Sequence, residues 1–182
     1  AVPPLPADEG ALADLRQAIG NRPRWLAAST HAGEEEAIAR VHQEVKRTYP
    51  DLLTIIVPRH PERGVEIAGL AAAVHLAAAR RTLAEPISPA TDIYIADTLG
   101  ELGLFYRLAD IAFMGKSFVP LGGQNPLEAL RLGCVVLHGP HMANFEKITH
   151  DMAAAGCALE VADAAALGGT LTKLLKDPER QQ

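Results

Sequence analysis

Short apolar segments alternate with amphipathic helical segments along this chain, and this alternation limits the folds open to it. The clearest apolar segment, 52–57, is too short for a helix and stops at Pro58, so we expect a buried strand there. The predicted strands are 25–29, 52–57, 93–96, 111–114, 135–137 and 158–161, with a brief further strand at 74–76. Repeated alternation of this kind is typical of a parallel sheet. We therefore predict an α/β fold in which helices cover both faces of a parallel sheet.

The helical segments share apolar residues at a spacing of three to four positions. Charge supports one of them, because 34–36 is acidic and Lys46-Arg47 lies in its last turn, as the helix dipole favours. The predicted helices are 8–19, 34–49, 61–70, one that starts near 98–101 and runs to about 109, 125–132, 144–155 and 164–175. A proline-rich stretch at 1–7 precedes them, and we interpret it as a linker from a missing N-terminal domain. Residues 8–182 then form one domain.

The composition argues against several classes of function. A net charge of −5 and an aromatic content of 4% are unlike those of a nucleic-acid-binding domain. Cys134 and Cys157 each lie in an apolar run, which indicates buried reduced thiols and a cytoplasmic protein. The sequence contains no apolar segment of membrane-spanning length, no Walker loop, no G-x-G-x-x-G motif and no metal-ligand cluster. We therefore expect a soluble chain without a metal site.

Polar loops follow the predicted strands. Their positions are 29–33, 58–61, 97–101, 120–125 and 139–144. Because the carboxyl ends of parallel strands meet at one edge of a sheet, where ligands of such folds bind, we expect these loops to line a single site. Ser29 lacks the flanking residues of a nucleophile elbow, so we reject hydrolase chemistry there.

A pair of glycines precedes a strong helix start. Asn125 is a preferred N-cap, Pro126 suits the first helical turn, and Glu128 completes a pattern similar to a capping box. Gly122 and Gly123 would let a ligand approach main-chain N–H groups at the positive end of the helix dipole. A phosphate fits such a site, and an ordinary capped helix after a turn fits the same residues.

Two further loops carry groups that suit a nucleotide. Arg59 can pair with a phosphate through its planar guanidinium, or it is an ordinary surface arginine. Thr98 and Glu101 are spaced as a second capping box, and Gly100 between them would permit a base or sugar to approach, or the pattern is a plain helix start. Glu128 can accept hydrogen bonds from two ribose hydroxyls, or it caps its own helix. The residues alone predict a domain that binds a phosphate or nucleotide-sugar, with its catalytic group elsewhere.

These motifs occur together in a characteristic order. They are Ser29-Thr30-His31, 58–63, Gly100-Glu101-Leu102, Gly122-Gly123 with 125–128, and 139–145. In order and spacing, residues 20–165 resemble the C-terminal domain of bacterial 3-deoxy-D-manno-octulosonic acid (Kdo) transferase. The resemblance implies the C-terminal, Rossmann-like half of a GT-B glycosyltransferase. It also implies that this half binds the donor CMP-Kdo, and that the enzyme transfers Kdo to a lipid A precursor (lipid IVA) in lipopolysaccharide biosynthesis without a cofactor.

By matching position, the resemblance implies a set of CMP contacts. These are Pro58, Arg59, Leu99, Gly100, Glu101, Asn125, Pro126, Leu127 and Glu128, with Ser29, His60, Gly122, Gly123 and Asn144 as further contacts. We assign Arg59 and the helix start at Asn125 to the phosphate, and Glu128 to the ribose. Gln124 and Ala32 depart from the family pattern, so neither receives a role.

The family's general base is a glutamate of the N-terminal domain, so the resemblance implies that no catalytic residue lies in this chain. Acceptor binding and association with the cytoplasmic face of the bacterial inner membrane would belong to the same missing domain. We therefore expect the chain to bind donor without transferring it. Two alternatives stay open: a non-catalytic nucleotide-binding module, and half of a GT-B nucleotide-sugar 2-epimerase.

Overall fold

The computed structural model describes residues 3–176, which fold as a seven-stranded sheet with helices on both faces. The strands are β1 (Arg24–Thr30), β2 (Leu53–Pro58), β3 (Ala78–Arg80), β4 (Ile93–Ile95), β5 (Ile111–Met114), β6 (Val135–His138) and β7 (Ala158–Glu160). The α-helices are α1 (Glu9–Ile19), α2 (Glu35–Lys46), α3 (Gly64–Ala73), α4 (Leu102–Tyr106), α5 (Leu127–Arg131), α6 (Glu146–Ala154) and α7 (Ala164–Lys176). Within the same residues, no helix combines the length and apolar character that crossing a bilayer requires.

The strands run parallel in the order β3-β4-β2-β1-β5-β6-β7. In the centre, Leu26 of β1 pairs with Ile55 of β2 on one side and with Ala112 of β5 on the other. The chain first forms β2, β3 and β4 on one side of β1, and then crosses to form β5, β6 and β7 on the other side. This reversal is a topological switch point, where ligands of parallel α/β sheets bind. The predicted fold class is confirmed.

Two apolar cores lie on opposite faces of the sheet. One face carries α1, α4, α5 and α6, from which Leu15 and Phe105 are buried. The other face carries α2, α3 and α7, from which Ile38 and Leu171 are buried. Because helices cover both faces, every residue of β2 is buried, and this explains why the strand is a continuous apolar run in the sequence.

Several predicted elements differ from the structure. The strand at 74–76 is wrong, because Leu76 is buried in the core beside α3 and β3 begins only at Ala78. The helices predicted at about 98–109 and at 125–132 shrink to five residues each, α4 and α5. Short 3-10 helices, Pro61–Arg63 and Ala143–Phe145, form the first turns of the segments that continue as α3 and α6.

The two cysteines are both free thiols, but only one of them is buried. Burial raises the pKa of the Cys134 thiol to about 12, which keeps it protonated and unreactive. Cys157 is half-exposed at the end of the turn before β7. The prediction of two buried thiols is therefore right for Cys134 and wrong for Cys157.

A buried polar network joins α2 to the sheet. The Nδ1 atom of the fully buried His42 lies 2.8 Å from the Thr54 hydroxyl, which accepts a hydrogen bond from the Trp25 indole at 2.6 Å. Thr54 therefore donates to Nδ1, and Nε2 carries the hydrogen that faces Asp92 at 3.4 Å. Asp92 also accepts a hydrogen bond from the Lys46 ammonium at 2.7 Å. Burial lowers the pKa of His42 to about 4, and the Asp92 carboxylate opposes that shift only in part.

We predict that mild acid weakens this fold. In the unfolded chain His42 takes up a proton near its ordinary pKa of 6.5, whereas in the folded chain it does so only near 4, so the folded state binds fewer protons between these values. The free energy of unfolding should therefore be constant above about pH 7 and fall by about 2–3 kcal/mol as the pH decreases from about 6.5 to about 4. Urea unfolding across this range measures the slope.

The variant His42→Gln removes the titrating group and should lose most of this slope. His150 lies exposed on α6, so His150→Gln serves as the control and should keep the slope of the parent chain. An unchanged slope in His42→Gln would show that another group is responsible.

Candidate functional site

The loops predicted to line a site all leave the sheet at the same edge. They follow β1, β2, β4, β5 and β6, whose carboxyl ends lie on one side because the strands are parallel. In sheet order, the predicted site residues at this edge are Leu99, Gly100, Glu101, Pro58, Arg59, His60, Ser29, Gly122, Gly123, Asn125, Pro126, Leu127, Glu128 and Asn144. The prediction that these loops share one edge is confirmed.

At the switch point, a buried carboxylate joins the loops after β1 and β5. The two oxygens of Glu34 accept hydrogen bonds from the main-chain N–H groups of His31 (2.9 Å), Lys116 (2.7 Å), Ser117 (3.1 Å) and Phe118 (3.0 Å). Glu34 is completely buried, and these four donors satisfy its charge without a cation. The carboxylate therefore fixes the two central loops relative to each other.

Sequence analysis missed this role of Glu34, because it placed the residue in the acidic first turn of a helix. The structure begins α2 at Glu35, so Glu34 stands one position before the helix. The run Glu34-Glu35-Glu36 gave no sign of which carboxylate stands outside the helix, because all three suit a helix start.

The main chains of the same two loops are in close contact. A Cβ atom at Gly115 would lie 2.3 Å from the carbonyl oxygen of Ser29, so only glycine fits there. Ser29 and Lys116 have φ angles of +56° and +62°, a left-handed conformation that is uncommon outside glycine. Strained residues of this kind cluster at functional sites, and here both lie at the ends of the two strands that form the switch point.

Arg59 and His60 follow β2 with exposed side chains. The main-chain N–H of Arg59 donates to the Thr30 carbonyl at 3.0 Å, which holds the residue beside the end of β1. The His60 ring meets the His31 ring edge-on, with centroids 5.6 Å apart. Over residues 3–176, the Arg59 guanidinium takes part in no ion pair or side-chain hydrogen bond, so it is available to an anionic ligand.

The loop before α4 is held by an ion pair between Arg81 and Glu101 and not by a capping box. Arg81 donates to both oxygens of Glu101, at 2.7 and 2.9 Å, and the Thr98 hydroxyl donates to the same carboxylate at 2.5 Å. The Arg81 guanidinium lowers the pKa of Glu101 below its ordinary value. The predicted capping box is wrong, because the Glu101 carboxylate binds a guanidinium instead of a main-chain N–H group. Leu99 is 80% exposed and Gly100 is exposed beside it, so the tip of this loop is open to solvent.

Glu128 does not cap its own helix. Its Oε2 accepts the main-chain N–H of Leu5 at 3.1 Å, and its Oε1 accepts the Arg131 guanidinium at 2.9 Å. The predicted capping pattern is only half formed, since Asn125 Oδ1 accepts the Leu127 N–H at 3.1 Å but Glu128 returns no bond. A carboxylate has about four lone-pair positions, so Glu128 keeps room for further donors.

Part of the predicted linker lies against the helices of the candidate site. Leu5 and Pro6 pack on Gly103 of α4 so closely that a Cβ there would meet the Pro6 carbonyl oxygen at 2.5 Å. Residues 1 and 2 of the predicted linker lie outside the described residues. The interpretation of 1–7 as an interdomain linker stays a prediction.

The glycine pair before α5 is required for loop packing. Gly122 and Gly123 have φ angles of +92° and +83°. A Cβ atom would lie 2.3 Å from the Asn144 Nδ2 atom at the first position and 2.3 Å from the Met142 sulfur at the second. The neighbouring loop therefore requires glycine at both positions, and the main chain of Gly122 lines the cavity at this edge. Asn144 lies inside the 3-10 helix Ala143–Phe145, and α6 begins at Glu146, two residues later than the predicted helix start.

A cavity of about 330 Å³ opens at the same edge, between the loops after β5 and β6. Its lining includes His138, His141, Met142, Glu146 and Glu160. Within residues 3–176, no three side chains converge as metal ligands. The cavity lining therefore combines ionisable side chains with apolar ones such as Met142 and Pro140.

Comparison with known proteins identifies the family. No family model matches the chain. Among solved structures, the chain is similar to the C-terminal CMP-Kdo binding domain of WaaA from Acinetobacter baumannii, with a TM-score of 0.89 and 33% identity over 94% of this chain and 91% of that one. The chain belongs to the Kdo transferase family.

Curated Kdo transferases extend the match. The 3-deoxy-D-manno-octulosonic acid transferase of Haemophilus influenzae is 40% identical over 163 residues, which are 89% of this chain. This Kdo transferase family member spans about 38% of the length of that relative. A UDP-GlcNAc 2-epimerase from Neisseria meningitidis is 16% identical with a TM-score of 0.59, which shows a shared fold alone. The resemblance seen in the sequence is confirmed, and the epimerase alternative is not favoured.

Proposed function

We propose that this chain is the donor-binding domain of a glycosyltransferase that moves Kdo from CMP-Kdo to a lipid A precursor. The observation that carries the proposal is the similarity, over nearly the whole chain, to a solved domain that binds CMP-Kdo. The site geometry supports it independently. An unpaired guanidinium, a carboxylate with free lone pairs and an exposed loop tip lie at the sheet edge where ligands of this fold bind.

The proposed contacts with CMP are Pro58, Arg59, Leu99, Gly100, Glu101, Asn125, Pro126, Leu127 and Glu128. Arg59 would pair with the phosphate, and Glu128 would accept the ribose hydroxyls. Because α5 has only five residues, its dipole contributes less to phosphate binding than a longer helix would. Arg59 therefore carries most of the charge stabilisation. Ser29, His60, Gly122, Gly123 and Asn144 would make further contacts.

In this proposal the domain assists the departure of CMP and transfers no proton. A fixed cation and oriented main-chain dipoles lower the cost of the negative charge that collects on the phosphate as the glycosidic bond breaks. The general base, the acceptor site and the contact with the cytoplasmic face of the bacterial inner membrane would lie in the part of the enzyme outside this chain. The chain alone would bind donor without transferring it, and no cofactor takes part.

A calorimetric titration of the 182-residue chain with CMP, UMP and AMP tests the proposal. We expect saturable binding of CMP that is at least about tenfold tighter than binding of the other two nucleotides, because a base-specific site discriminates by at least one hydrogen bond. Equal affinities would indicate a general nucleotide-binding module. Preference for UMP would favour the epimerase alternative. Absence of binding would refute a donor-binding role.

A further inference from the structure

A second cation stands opposite Arg59 across the end of β1. β2 and β5 are the two neighbours of β1, and Arg59 follows β2 while Lys116 follows β5. Both loops are hydrogen-bonded to β1. The Arg59 N–H donates to the Thr30 carbonyl at 3.0 Å, and the Gly115 N–H donates to the Ala28 carbonyl at 2.7 Å. Because neighbouring strands lie about 4.8 Å apart, the ends of β2 and β5 are about 10 Å apart. Two long cationic side chains can meet on one anion across that distance.

The backbone of Lys116 is held from both sides. Its N–H donates to the buried Glu34 carboxylate at 2.7 Å, and its carbonyl accepts the Gly123 N–H at 2.9 Å. Its φ angle of +62° is one that a lysine adopts only where surrounding contacts enforce it. These contacts fix the main chain of Lys116. None of them involves its side chain, so they do not explain why a lysine occupies this position.

Two cations of this edge have no ion-pair partner among residues 3–176. Each buried or half-buried carboxylate of the edge loops has a strong partner. Those carboxylates are Glu34 with four N–H groups, Glu35 with Arg63, Asp97 with Arg80, Glu101 with Arg81 and Glu128 with Arg131. Over the described residues, neither the Lys116 ammonium nor the Arg59 guanidinium has an ion pair or side-chain hydrogen bond. These two cations are therefore available to an anion that binds between them, and the other carboxylates of the edge, Glu62, Glu146 and Glu160, are exposed to solvent.

We propose that Lys116 is a second anion-binding residue, which together with Arg59 holds the phosphate of the bound cytidine nucleotide over the end of β1. The inference rests on the proposed function, because it deepens the description of the same site. It adds a residue that was absent from the predicted contacts. It also gives Glu34 a functional consequence, since the buried carboxylate positions the lysine that binds.

The experiment compares Lys116→Met with the parent chain in titrations with CMP and with cytidine, which lacks the phosphate. Lys173→Met is the matched control, because Lys173 is exposed near the carboxyl end of α7, at the opposite edge of the sheet. We expect Lys116→Met to weaken CMP binding about 10- to 100-fold and to leave cytidine binding unchanged, as loss of one charged hydrogen bond predicts. Lys173→Met should bind both ligands as the parent chain does, and Lys116→Arg should keep most of the CMP affinity.

Three results would overturn the inference. If Lys116→Met binds CMP as tightly as the parent chain, Lys116 does not contact the phosphate, although the proposed function stands as long as the parent chain prefers CMP. If Lys116→Met weakens cytidine and CMP equally, the residue maintains the loop and binds no anion. Failure of the parent chain to bind CMP would remove the proposed function and this inference together.

Discussion

Replacing Glu34 by alanine should lower the free energy of unfolding by about 3–5 kcal/mol, because four main-chain N–H groups at the switch point lose their acceptor at once. The effect is large since Glu34 is completely buried and water reaches these donors poorly. Glu34→Gln should lose about half as much, because the amide keeps one acceptor oxygen but turns its NH₂ group toward N–H donors. Equilibrium urea unfolding measures both variants.

Glu36→Ala is the control for this prediction. Glu36 lies two residues further along, in the first turn of α2, with an exposed side chain, so its loss should change stability by less than about 0.5 kcal/mol. If Glu34→Ala unfolds within about 1 kcal/mol of the parent chain, the carboxylate does not hold the two loops together.

Glu128→Ala should weaken CMP binding by about 1–3 kcal/mol, because a carboxylate that accepts ribose hydroxyls in a desolvated site is lost. The same contact can be removed from the ligand, because 2′-deoxy-CMP lacks one of the two ribose hydroxyls. The parent chain should bind CMP more tightly than 2′-deoxy-CMP, and Glu128→Ala should bind the two ligands almost equally. Calorimetry on the four combinations gives the coupling energy directly.

Glu44→Ala is the matched control, because Glu44 forms a comparable i,i+3 ion pair with Arg47 near the end of α2, and this variant should keep the discrimination between the two ligands. If Glu128→Ala still distinguishes CMP from 2′-deoxy-CMP as the parent chain does, Glu128 serves only the contacts with Leu5 and Arg131 seen in the structure.

The fold could be predicted because its strongest signal is local. β2 is buried on both faces, so its apolar run stands out from the periodic pattern of the helices on either side. The convergence of the edge loops followed from the same signal, since parallel strands put all their carboxyl ends on one side. The prediction of a brief strand at 74–76 was wrong because Leu76 is buried against helices and does not belong to a strand. Three residues are too few to tell an apolar strand from an apolar residue that packs beside a helix.

The detailed geometry of the site could not be predicted, because it depends on partners far apart in the sequence. Glu101 and Glu128 both sit at positions typical of a capping box, yet each meets an arginine, and Glu128 also meets the main chain of Leu5. Gly122 is a glycine because Asn144 fills the space where a side chain would be. Helix-capping rules consider only residues within one turn of each other. They therefore do not include partners that are distant in the sequence.

The most direct test of the central claim, that one sheet edge binds a cytidine nucleotide, is an amide chemical-shift map of the isotope-labelled chain during a CMP titration. The account predicts saturable shifts concentrated at Arg59, Gly100, Glu101, Lys116 and Glu128. Shifts that concentrate instead in a groove between α2 and α7, which is lined by Val41, Gly168 and Thr172, would contradict it. The absence of any saturable shift would contradict it as well.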